Sequence, residues 1–144
     1  MRPIAVAGAF FIGVVVGGLS MSFAEASSRP PAAADRVFEL RTYTVGEGQL
    51  AALNSRFRDH TTGLFAKHGM TNVGYWTPVD TPLVGTTLTY LLAYPSREAA
   101  TRSWQAFRVD TTWQRVRAAT EAAGLRILRI ESRYLTPTDY SAMR

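Results

Sequence analysis

The sequence predicts an α+β fold with the order β-α-β-β-α-β, a four-stranded antiparallel sheet carrying its helices on one face. Three observations carry this prediction. Residues 37–45 form an aromatic and β-branched run of period two, and residues 49–68 carry an apolar stripe spaced at three and four. Residues 70–94 hold two short strand-like runs separated by a Pro- and Gly-bearing loop, and a second helical stretch and a last strand-like run complete the order.

The chain has 144 residues, 47% of them hydrophobic, enough for one core of ordinary size. Met1-Arg2-Pro3 is a short basic start, Ile4 to Leu19 is apolar and uncharged, and Ala24-Glu25-Ala26 fits a small-x-small cleavage pattern. Residues 1–26 therefore read as a signal peptide, with an N-terminal anchor formed by residues 4–19 as the alternative. Residues 27–35 read as a polar, Pro/Ala-rich linker, which leaves residues 36–140 as the folded domain. The expected location is exported, periplasmic or secreted, and membrane contact is expected only through an uncleaved N-terminal segment. That location discounts nucleic acid as a partner despite a net charge of +5. The absence of cysteine removes disulfides, zinc–thiolate sites and cysteine nucleophiles.

The first strand, Val37 to Val45, alternates Phe38, Leu40, Thr42 and Thr44 with Glu39, Arg41 and Tyr43. Gly46-Glu47-Gly48 turns the chain into a helix over Gln49 to His68. Leu50, Leu53, Phe57, His60, Thr61, Leu64, Phe65 and His68 form its inward stripe, while Arg56, Arg58, Asp59, Thr62 and Lys67 fall mostly elsewhere. Gly63 interrupts this helix and implies a kink or a close backbone approach, and Gly69 suits a left-handed cap. Met70 to Thr77 and Thr86 to Tyr94 read as a hairpin. Ser96 caps a helix over Arg97 to Phe107, and Asp110 caps another running through Ala123. Gly124 closes that helix, and the last strand is Leu125 to Leu135.

This is the ferredoxin-like arrangement, with strand one in the middle between strands three and four. Apolar side chains belong under the helices, so Phe38 and Leu40 are expected there. Glu39, Arg41 and Tyr43 are then expected on the uncovered face, beside the charged row Arg129, Glu131 and Arg133 of the last strand.

Four blocks of sequence resemble NIPSNAP domains. They are Phe38-Glu39-Leu40-Arg41-Thr42-Tyr43; Arg56 to Thr61 with Lys67 to Met70 and Gly74-Tyr75-Trp76; Tyr90 to Tyr94 with Ser96 to Ala100 and Trp104 to Phe107; and Glu131-Ser132 with Leu135 to Tyr140. The resemblance implies a dimeric α+β barrel, in which two copies pack their uncovered sheet faces together, and hence a homodimer. It implies no particular reaction. Related barrels include cofactor-independent monooxygenases and haem-degrading proteins, whose active cavity lies between helix and sheet.

On this basis Glu39, Arg41, Arg129 and Glu131 are expected at the dimer interface as an ionic network. Tyr43 and Arg133, nearer strand ends, are candidates for binding a small organic ligand, and Tyr75 and Trp76 are candidates for an aromatic wall with Tyr90, Tyr94 and Trp104. His60 is the catalytic candidate, as a general base or a haem ligand in the helix–sheet cavity, weighed against a core histidine bonded to the sheet. His68 is assigned to the helix dipole. No metal site is assigned, because the chain's two histidines stand eight residues apart with no supporting acid at helical spacing except Asp59 beside His60.

The leading functional expectation is an exported, homodimeric small-ligand-binding or scaffold protein, its cofactor unassigned. The alternative is an oxygenase-type barrel enzyme, cofactor-independent or haem-dependent, acting through His60. A second alternative is a membrane-surface interaction module using Arg115, Arg117 and Arg126.

Overall fold

The computed structural model describes residues 36–143; the signal-peptide and linker segments read from the sequence lie outside them. The elements run β1 (Val37–Val45), α1 (Leu50–Arg56), a π-helical turn (Phe57–Thr61), α2 (Thr62–Lys67), β2 (Thr71–Trp76), β3 (Thr87–Tyr94), α3 (Arg97–Val109), α4 (Thr111–Ala122) and β4 (Ile127–Leu135). The sheet order is β2-β3-β1-β4 with every neighbouring pair antiparallel, so β1 lies between β3 and β4 as predicted. The caps also match their residue types. Ser96 Oγ accepts from the Ala99 N–H at 3.2 Å, and Asp110 Oδ1 accepts from those of Thr112 and Trp113 at 2.7 and 3.1 Å.

The orientation of β1 differs from the expectation. Antiparallel register sets Glu39 opposite Leu92, Arg41 opposite Tyr90 and Tyr43 opposite Leu88. Tyr43, Leu88, Tyr90 and Leu92 belong to the main core, packed with Leu53, Phe57 and Phe65 from the first helix and Trp104 and Phe107 from α3. Glu39, Arg41 and Tyr43 therefore lie beneath the helices. Phe38 and Leu40 form a separate cluster with Leu91, Ala93 and Val73 on the far face. The physical reason is that Tyr43 and Val45 share the parity of Glu39 and Arg41, and Glu39 finds enough donors to be buried there. On β4, Glu131 and Arg133 do lie on the far face, opposite Thr42 and Leu40, so the charged rows of β1 and β4 are not paired.

The first helix also departs from a regular repeat. Over Phe57–Thr61 the hydrogen bonds widen to the π pattern, with the Thr62 N–H donating to the Phe57 carbonyl. In an unbroken α-helix His60 would share the azimuth of Leu53 while Phe65 turned away. The inserted residue reverses this, so Thr61 and Phe65 are buried and His60 is exposed. The irregularity precedes Gly63 rather than centring on it. Gly63 is exposed, and a Cβ placed there would meet nothing within 4 Å, so the close approach expected at this glycine is not found.

Candidate functional site: an arginine-lined cavity between sheet and helices

A cavity of about 960 Å³ opens on the helix side of the sheet, between β1 and β4 below and α3 and α4 above. Its aromatic walls come from Tyr43, Trp104, Phe107, Trp113 and Tyr134, and its apolar rim includes Ile127, Leu128 and Ile130. Leu128 and Ile130 are 67% and 49% exposed, so β4 leaves an apolar edge at the opening. The lining also contains seven arginines against a single acid, Glu121, which makes the interior cationic.

Two of these arginines are held at depth. Arg41 comes from β1 and sits over aromatic rings, its Cζ 4.3 Å from the Trp104 ring centre and 5.7 Å from that of Tyr43. Its Nη1 donates to Glu39 Oε1 at 2.6 Å. Arg56 comes from the end of α1, is 4% exposed, and has its Cζ 5.4 Å from the Trp113 ring centre. Burial pulls the Arg56 pKa below its ordinary value, yet a guanidinium stays protonated at neutral pH.

Glu39 anchors the floor. Its Oε1 accepts from Arg41 and from Ser132 Oγ at 2.6 Å, and its Oε2 accepts from the Tyr94 hydroxyl at 2.7 Å and Trp104 Nε1 at 2.6 Å. Burial by itself raises the Glu39 pKa, but the hydrogen bonds from Ser132, Tyr94, Trp104 and Arg41 outweigh it and the net shift is downward. Glu39 is thus an ionised, fully engaged carboxylate that fixes Trp104 and Arg41 in place.

Only part of the set predicted from sequence converges here. Tyr43 lines the cavity, whereas Arg133 stands on the opposite face of the sheet. Tyr75 stacks on Tyr90 at 5.3 Å and donates to Asn72 Oδ1, and Trp76 is 53% exposed; neither lines the cavity. Tyr90 and Tyr94 are core residues, so Trp104 alone carries the expected aromatic wall into the site. His60 is exposed and is not among the residues that line this cavity, where a general base or haem ligand was expected.

Of the residues assigned to the dimer interface, Glu39 and Arg41 are committed to the helix side. Arg129 pairs with Glu131 at 2.9 Å, and Arg129 also borders the cavity. His68 Nε2 lies 2.8 Å from Asp110 Oδ2, which also accepts from Lys67 Nζ at 2.6 Å, tying the end of α2 to the start of α4. Arg117 and Arg126, read as a surface patch, are exposed and also line the cavity. Sequence reasoning missed Arg56, because a 3.6-residue period put it largely off the inward stripe.

The NIPSNAP family model matches residues 38–142. No curated protein matches the chain. Among solved structures, a NIPSNAP family protein from Agrobacterium tumefaciens is similar at 21% identity and a TM-score of 0.66, covering 76% of this chain and 99% of that one. A cofactor-independent oxygenase from Streptomyces nogalater is similar at 18% identity and a TM-score of 0.51, covering 74% of this chain and 96% of that one. A monooxygenase from Streptomyces coelicolor, in complex with nanaomycin D, is similar at 14% identity and a TM-score of 0.56, covering 76% of this chain and 94% of that one. At these identities the likeness is one of fold, that of the dimeric α+β barrels.

Proposed function

The chain belongs to the NIPSNAP family, and we propose that it is an exported homodimer that holds a small organic molecule in the cavity between its sheet and helices α3 and α4. The observation that carries this reading is the cavity itself. A space of about 960 Å³, walled by aromatic rings and arginines, falls within the range of small-molecule sites.

Dimerisation through the far face of the sheet is supported by its composition. Leu40 and Val73 stay partly exposed beside the buried Phe38, Leu91 and Ala93, and Leu135 at the sheet edge is 43% exposed. Glu131 and Arg133 supply polar groups near that patch. Export is supported by the apolar stretch 4–19 and the Ala24-Glu25-Ala26 pattern.

Native mass spectrometry of the protein purified from its own host tests the reading. The expected species is a dimer lacking residues 1–26 and carrying a small organic adduct. An empty monomer overturns both the dimer and the ligand.

A second reading, an oxygenase-type enzyme, is favoured by the likeness to the two Streptomyces oxygenases. Oxygen uptake upon adding the co-purified molecule to stripped protein separates the two. Uptake above the uncatalysed rate supports the enzyme, and its absence leaves a binding protein.

A further inference from the structure

Arg56 is a buried cation with no carboxylate bonded to it; Glu121, whose charge it feels, pairs with Arg117. Its Nε is buried with no hydrogen-bond partner, and its Nη1 reaches Thr120 Oγ1 only at 3.5 Å. Among the described residues no carboxylate lies within salt-bridge distance of it. The contrast with Glu39, which collects four donors, is internal to the same site. An unpaired buried charge is costly, and a chain that retains one gains nothing in stability from it. A guanidinium grips a planar oxyanion with parallel hydrogen bonds. Arg56 lines the cavity, with its Nε itself buried.

Resting on the reading of this cavity as a ligand site, we propose that its ligand is an aromatic carboxylate whose carboxylate is held by Arg56. One cation at depth with no carboxylate bonded to it matches one negative charge. The aromatic body is set by the walls, since Tyr43, Trp104, Phe107 and Trp113 line the same cavity. Arg108, Arg117 and Arg126 are exposed around the same cavity and raise the local concentration of anions before docking.

The test is calorimetric titration of the full chain with 2-naphthoate, 2-naphthalenemethanol and decanoate, repeated on Arg56→Met, with the melting temperature of both proteins. Naphthoate is expected to bind at least about tenfold more tightly than the neutral alcohol or the alkyl acid. In Arg56→Met the preference over the alcohol is expected to fall to about twofold or less, with no decrease in melting temperature.

If the alcohol binds wild type as well as the acid does, the charge assignment is overturned while the cavity remains a binding site. If decanoate matches naphthoate, the aromatic class is overturned. Failure of all three to bind overturns the cavity reading and this one together. If Arg56→Met melts lower and loses acid and alcohol binding alike, Arg56 is a structural residue and the inference fails.

Discussion

Trp104 Nε1 donates to Glu39 Oε2 across 2.6 Å, joining α3 to the middle strand of the sheet by a charge-assisted bond. The same carboxylate holds Arg41, whose guanidinium lies over the Trp104 ring at 4.3 Å. Strand, helix and cation thus share one anion. Replacing it with an amide, Glu39→Gln, presents an N–H₂ group to a site built entirely of donors and removes the counter-charge of Arg41. The expected loss is about 3 kcal/mol, the cost of breaking a buried pair from one side. Urea denaturation followed by tryptophan fluorescence measures it.

The acid limb of stability follows from the same residue. The folded Glu39 pKa lies below its ordinary value of 4.5, so its stabilisation is complete above that value. It is lost as the pH falls from about 4.5 through the lower folded-state pKa. Urea midpoints measured between pH 6 and pH 2.5 are expected to fall below about pH 4.5. In Glu39→Gln the fall is expected to be shallower, and equal slopes in the two proteins would assign the acid limb to other carboxylates.

His60→Ala is expected to change stability by no more than about 0.5 kcal/mol, because the ring is exposed. Ligand binding is expected to be unchanged, since His60 is absent from the cavity wall. Thermal unfolding and titration with the co-purified molecule check both parts.

Gly63→Ala is expected to stabilise the fold by about 1 kcal/mol, the helix-propensity difference between the two residues. The position lies inside α2, has no positive φ, and offers an added Cβ open space. Differential scanning calorimetry shows the gain as a raised melting temperature.

The order of elements and their caps were legible because each rests on local chemistry. Ser96 and Asp110 are strong N-cap residues, and Gly69 and Gly124, with φ of 76° and 101°, mark the ends of α2 and α4. The inward face of β1 was not legible from β1 alone, since both of its sides mix apolar and polar groups. It is decided by register with β3, which places Glu39 near Tyr94 and within reach of Trp104. Those donors lie 55 and 65 residues away in sequence. The cavity arginines were hidden for a different reason. Arg56 reads as a solvent-facing residue under a 3.6-residue period, and no local signal announced the π-helical turn that follows it.

That turn has a consequence for how such a scaffold diversifies. Upstream of it Leu53 and Arg56 are buried, and downstream Thr61 and Phe65 are. One surplus residue keeps both halves in phase. Losing a single codon between Phe57 and Thr61 would rotate one half against the other by about a quarter turn, bringing His60 round beside Leu53. The chemical character of the chamber is therefore tuned by helix length as much as by residue identity, and a frame-preserving deletion here can exchange functional groups while the sheet stays as it is.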